Sequence, residues 1–146
     1  MANDAGTATT PDPVMGLYDE PMWRSIAAKA LELQQCTACT RFQYPPAPIC
    51  THCGGAELQW KPVSGAGTIV SWVVFHKTYL PAYPAPYNVI AVRLREGPVM
   101  ISNLEPPAPT DSWIGSDVSL VYVTMPDGQV LPRYRLCKSS AGELRG

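Results

Sequence analysis

Cys36 and Cys39 are separated by two residues, Cys50 and Cys53 likewise, and ten residues lie between the two pairs. A tight turn inside each pair brings both sulfurs to one side, and two such knuckles complete a tetrahedron around one ion. The metal this pattern implies is zinc, held by Cys36, Cys39, Cys50 and Cys53. Four protein ligands leave no open position for water, so the reading is a structural staple rather than a catalytic zinc. Iron in a rubredoxin-like site takes the same ligands, but the short loop between the knuckles is closer to a zinc ribbon. His52, inside the second knuckle, is then a solvent-facing residue. A segment of Cys, Pro and small residues such as 36–53 cannot build a core of its own, and the loaded chain is more acidic than its formal charge of -1.

The rest of the chain must therefore supply that core, and its 146 residues suffice. Apolar residues make up 46% and charged residues 16%, which excludes whole-chain disorder, while 11 glycines and 16 prolines exclude a helical bundle. Residues 1–18 are small, polar and aperiodic and read as a flexible tail, as do residues 138–146. Asp19 or Glu20 as cap, Pro21 in the first turn, and Trp23, Ile26, Ala27 and Ala30 at helical spacing predict a short amphipathic helix. From Leu31 the period changes to two. Beyond Trp60, five segments rich in Val, Ile, Tyr and Trp read as strands: Thr68 to Lys77, Tyr87 to Arg95, Pro98 to Leu104, Asp117 to Thr124 and Val130 to Leu136. Turns at Glu96-Gly97 and Asp127-Gly128, and a Pro-rich stretch from Glu105 to Thr110, separate them. Gly65-Ala66-Gly67 reads as a sharp entry into the first of them. The expected architecture is mainly β: an N-terminal helix and rubredoxin-like zinc ribbon over 19–60, then a C-terminal five-stranded barrel of OB type over 61–137. An SH3-like barrel is the alternative.

Function is constrained as much by what is missing. Eleven bases against twelve acids give no field to draw in phosphate backbones, and between Leu31 and Trp60 the only base is Arg41, which argues against nucleic acid. The ribbon offers Phe42, Tyr44, Pro45, Pro46, Pro48 and Ile49 instead, suited to protein contact, although Phe42 and Tyr44 could equally pack on the barrel. Only His52 and His76 could serve a nucleophile as base, and no Ser-His-Asp set, carboxylate pair or phosphate loop emerges. Cys137, the fifth cysteine, reads as a partly buried free thiol. Arg93 and Arg95, and Arg133 and Arg135, are i, i+2 pairs that suit a solvated face or an anionic ligand. The segment HKTYLPAYPAPY, His76 to Tyr87, is a stiff aromatic loop with the composition of a binding surface. No apolar run is long enough to span a membrane and the first residues lack a signal-peptide pattern, so a cytoplasmic protein with reduced thiols is expected.

The run CTACTRFQYPPAPICTHCG, a Trp with GAGTIVSW, then PAYPAPYNVIAVRLREGPVMISNL, IGSDVSLVYV and LPRYRL together resemble the acyl-CoA-associated family in which a rubredoxin-like zinc ribbon is fused to an OB-fold. The resemblance spans about residues 20 to 136. It implies a non-catalytic accessory subunit, partnered in a hetero-oligomer with a thiolase-like catalytic subunit that acts on acyl-CoA thioesters or related ketones by thiolase, acyltransferase or retro-aldol chemistry. It assigns Cys36, Cys39, Cys50 and Cys53 to zinc, and makes Tyr79, Tyr83, Pro84 and Tyr87 candidate contacts to the partner or to the acyl-CoA it binds. Many relatives carry Gly and Arg where this chain has Thr40 and Ala47, which weakens any grip of the ribbon on CoA phosphates. The alternative reading is a stand-alone ribbon and OB-fold binder of single-stranded nucleic acid.

Overall fold

In a computed structural model, residues 9–105 and 113–137 are described. Residues 1–8 of the flexible tail expected over 1–18, the whole tail expected over 138–146, and residues 106–110 of the Pro-rich stretch lie outside them, whereas residues 9–18 of the first tail are described and Thr10 is tied down. Helix α1 spans Glu20–Ala27. Pro21 sits in its first turn and Arg24 pairs with Glu20 at 2.7 Å, but no side chain caps the N-terminus. The Asp19 carboxylate turns backward and accepts from the Gly16 N–H at 2.8 Å. The helix stops at Lys29, whose φ of 58° lets the Ala30 N–H reach the Ser25 carbonyl.

Strands β1 (Glu32–Cys36), β2 (Phe42–Gln43) and β3 (Leu58–Pro62) form a small antiparallel sheet in the order β2-β1-β3. Only the period-two run at its start announced this sheet; β2 is two residues long and β3 has no clean alternation. The second sheet holds β4 (Ala66–Phe75), β5 (Tyr87–Leu94), β6 (Val99–Ser102), β7 (Asp117–Thr124) and β8 (Val130–Leu136), close to the five expected segments. Its order is β6-β5-β4-β7-β8, all antiparallel, and a parallel bridge from Leu104 to Tyr134 draws the two edges together. The result is a partly open curled sheet of OB type. Gly67 permits the β4–β5 crossing, because a Cβ there would lie 2.5 Å from Val92 Cγ1 and 3.0 Å from the Arg93 carbonyl.

The two sheets share one core. Met22 and Ile26 of α1 and Leu31 and Leu33 beside or in β1 pack in the same cluster as Ile69, Ile90, Val92, Val118 and Tyr134 of the curled sheet. This is how a Cys-and-Pro segment folds without a core of its own. The Leu31 N–H donates to the Tyr122 hydroxyl at 2.7 Å, and Phe42 and Tyr44 are half-buried against the core. Both aromatics thus pack against the core. Thr10 is buried, and its N–H donates to Asp127 at 2.9 Å, tying residues near the start of the described chain to the β7–β8 turn.

Candidate metal centre and groove

The two knuckles are built alike. In the first, the Cys36 N–H donates to the Arg41 carbonyl at 3.0 Å and the Thr40 N–H to the Cys36 carbonyl at 2.9 Å. In the second, the Cys50 N–H donates to the Gly55 carbonyl at 2.8 Å and the Gly54 N–H to the Cys50 carbonyl at 2.9 Å. Each knuckle needs one residue in the left-handed region directly after its second cysteine: Thr40 at φ 64° and Gly54 at φ 78°. Buried glutamines hold the pieces between. Gln43 Nε2 donates to Gln34 Oε1 at 2.8 Å, which also accepts from the Ala47 N–H, while the Thr51 N–H donates to Gln43 Oε1. Glutamines at strand positions look like surface in a sequence, and these two were not singled out.

The four sulfurs lie within 4.8 Å of one another. Cys36 and Cys53 are 3.6 Å apart, as are Cys39 and Cys50, far beyond the roughly 2.05 Å of a disulfide and near the roughly 3.8 Å edge of a tetrahedron with 2.3 Å metal–sulfur bonds. Backbone N–H groups of His52 and Cys53 approach Cys50 Sγ at 3.3 and 3.4 Å. These donors, the Cys53 N–H first, bring the Cys50 thiol down to about 6, against burial. Cys53 is drawn down by the Gly55 N–H, but its sulfur neighbours and burial prevail and push it up to about 11. Thiolates this crowded repel one another until a cation sits among them. Gly55 completes the cradle, since a Cβ there would lie 3.3 Å from both Cys36 Sγ and Cys53 Sγ. The donor set fits a tetrahedral dication. His52 is exposed, with Nδ1 3.4 Å from Arg41 Nη1, and stands outside the sulfur set.

A second feature lies at the far end of the curled sheet. The β4–β5 loop, the start of β5, the end of β6 and the β7–β8 hairpin enclose a groove of about 540 Å³. This is the position at which OB-folds take ligands, between the first and last hairpin loops and over the second and third strands. Tyr83, Pro84 and Tyr87 line it together with Ile101, Leu131 and Arg133. Tyr79 does not. It stands outside, 62% exposed, its ring edge-on to Phe75 at 6.1 Å and beneath Lys77 Nζ at 5.5 Å. Phe75 stacks on Tyr87 at 5.1 Å, and the Ala85 N–H donates to Thr78 Oγ1 at 2.8 Å, so the loop is braced by its own side chains.

Arg93, Arg95 and Arg135 are exposed, as a solvated face requires, but Arg133 departs from it. Its guanidinium is half-buried in the groove and donates to the Pro132 carbonyl at 2.9 Å. Burial lowers its pKa, opposed by the Tyr83 hydroxyl and Glu105. Strand alternation alone made Arg133 and Arg135 equivalent; the loop that folds over only one of them separates them. Cys137 is exposed, not partly buried, because β8 has ended at Leu136 and the chain is leaving the sheet. Among the described residues no helix is long and apolar enough to cross a membrane.

Comparison with known proteins finds matches for both parts of the chain. Residues 24–59 match the family described as ChsH2, rubredoxin-like zinc ribbon domain, and residues 60–123 the family described as ChsH2, C-terminal OB-fold domain. The "Probable enoyl-CoA hydratase alpha subunit" of Thermomonospora curvata is 33% identical over 129 residues, 88% of this chain and 40% of that protein. The "3-oxo-4,17-pregnadiene-20-carboxyl-CoA hydratase alpha subunit" of Mycobacterium tuberculosis is 30% identical over 105 residues, 72% of this chain and 33% of that protein. The chain thus spans well under half the length of these curated relatives. A solved structure, "Ltp2-ChsH2(DUF35) aldolase", matches with a TM-score of 0.78 and 30% identity over 86% of this chain and 98% of that one. With both halves matched in order and nearly the whole of a solved relative covered, the chain belongs to the ChsH2 family of zinc-ribbon and OB-fold proteins.

Proposed function

We propose that the chain is a non-catalytic accessory subunit of a hetero-oligomeric complex whose thiolase-like partner acts on acyl-CoA thioesters or related ketones. The observation that carries this reading is the groove: a ligand-sized, largely apolar space at the customary OB position, with Arg133 as its base and no Cys, Ser–His pair or carboxylate pair among its described residues. Such a lining suits holding or walling off a substrate. Arg133 would orient an anionic or carbonyl-bearing group, and Tyr83, Pro84 and Tyr87 would face the acyl-CoA or the partner, with Tyr79 on the partner's side.

Cys36, Cys39, Cys50 and Cys53 would hold one structural zinc per chain. Bound zinc supplies a closed tetrahedral staple and no open coordination position. The ribbon over 19–60 then serves as a rigid brace for the sheet over 61–137, to which it is joined through Leu31 and Leu33. A reducing cytoplasm suits thiols that must stay unoxidised. The partner's thiolase-like character rests on the resemblance of the sequence, and the names of the relatives speak of alpha subunits and of CoA thioesters.

Affinity purification of the tagged chain from its native cells, followed by mass spectrometry, tests this. A co-eluting thiolase-like subunit, two to three times this chain's mass, is expected. A chain that elutes without one and shifts single-stranded oligonucleotides in a salt-dependent manner would instead be a nucleic-acid binder.

A further inference from the structure

The curled sheet stops short of closing, and the ladder between its two edges breaks at one residue. The Leu94 N–H donates to the Pro98 carbonyl at 2.8 Å, which sets the alternation of the β5–β6 ladder. Val92–Met100 and Ile90–Ser102 are then the pairs that exchange hydrogen bonds, while Val99 and Ile101 turn their N–H and C=O groups away from β5. On that far side lies β8, joined by one parallel bridge: the Tyr134 N–H donates to the Asn103 carbonyl at 3.0 Å and the Glu105 N–H to the Tyr134 carbonyl at 2.7 Å. The next rung would need the N–H of residue 132 to donate to the Ile101 carbonyl. Residue 132 is proline and has none. The Pro132 carbonyl, the other half of that rung, accepts instead from Ser102 Oγ and Arg133 Nη1, each at 2.9 Å. Among the described residues nothing pairs with the outward backbone groups of Val99 and Ile101, and the Ile101 side chain is 64% exposed.

We propose that this edge of β6 is a docking strand for an extended segment of the catalytic subunit, a proposal that rests on the functional reading above. Unpaired N–H and C=O groups in a row are met best by another extended backbone, and apolar side chains at alternate positions add the specificity. The charge beside the edge describes the segment further. Arg93 is opposite Val99 in register, exposed, and without a carboxylate within 4.0 Å among the described residues. The matching segment carries an apolar residue against Ile101 and an acid within reach of Arg93. A second copy of this chain does not meet that description, since its own β6, Val99–Ser102, contains no acid.

Hydrogen–deuterium exchange, resolved residue by residue on the full chain alone and in the complex purified from native cells, tests the proposal. The Val99 and Ile101 amides should exchange freely in the isolated chain and slow by about a hundredfold in the complex, as paired strand amides do. Ile101→Pro removes an N–H that no rung uses. It should weaken assembly at least tenfold, by titration against the purified partner, while zinc content is unchanged. Ile101→Lys, which keeps the backbone, serves the same purpose if the proline variant does not fold. Pro132→Val restores the missing donor, which can then reach the Ile101 carbonyl and occupy part of the edge in the isolated chain, and it should weaken assembly. Equal exchange at both amides in the presence of a bound thiolase-like subunit would overturn the docking edge and leave the functional reading standing. Absence of any such subunit would overturn both. An isolated chain that is a dimer with these amides protected would assign the edge to a second copy and overturn the proposal.

Discussion

Thr40 holds a left-handed backbone in the first knuckle at the point where Gly54 does so in the second. A β-branched residue in that region costs roughly 1 to 2 kcal/mol, offset here by the two hydrogen bonds of the knuckle. Thr40→Gly should therefore raise the stability of the metal-loaded chain by about 1 kcal/mol in denaturant titration, less than the full strain because glycine loses more freedom on folding. The cysteines are a different matter. Metal binding to a four-thiolate site contributes on the order of 10 kcal/mol, similar to the whole stability of a domain this size. Cys50→Ser should abolish zinc binding by elemental analysis and yield a chain without a cooperative unfolding transition. A folded, zinc-free Cys50→Ser protein that still assembles would contradict a structural role. The cysteine spacing was legible residue by residue because metal geometry is local. Gln34, Gln43 and Arg133 were not, because their roles come from residues 8 to 50 positions away that only folding brings near.

At the scale of elements, the curled sheet was the legible part and the ribbon sheet the hidden one. β-branched and aromatic runs bounded by Glu96-Gly97 and Asp127-Gly128 set β5 to β8 almost residue for residue, since half-buried strands must alternate. Strands β2 and β3 carry no such signal, because their register is imposed by the knuckles and by β1. The aromatic loop shows the limit of composition. Its Tyr and Pro content pointed to a surface, and the structure divides that surface in two, with Tyr83, Pro84 and Tyr87 on the groove and Tyr79 outside it. If the loop is a contact surface, Tyr83→Ala should weaken assembly by about 1 to 3 kcal/mol with zinc content and isolated-chain melting nearly unchanged. If it is only a lid, the melting temperature should fall and the folded fraction should bind normally. Melting and partner affinity measured on one sample separate the two.

At the scale of the whole molecule, ribbon and curled sheet are joined by one core, so a staple at the cysteines steadies a groove at the opposite end of the sheet. Leu33, at 0% exposure within the ribbon's own sheet, is the plainest sign of this. Net charge had already argued against a nucleic-acid role, and the groove adds a reason, since among its described lining Arg133 is the base. What length and composition could not convey is that the ladder between the two edges breaks at a single proline, because one missing N–H has no signature in hydropathy. As the proposed accessory subunit, the chain would assist chemistry that its partner performs. Acyl-CoA turnover should be measured for the chain alone, for the co-purified partner stripped of it, and for the two recombined. The account predicts none for the first, a clear loss for the second and recovery for the third. Turnover by the isolated chain, or a partner indifferent to its removal, would contradict it.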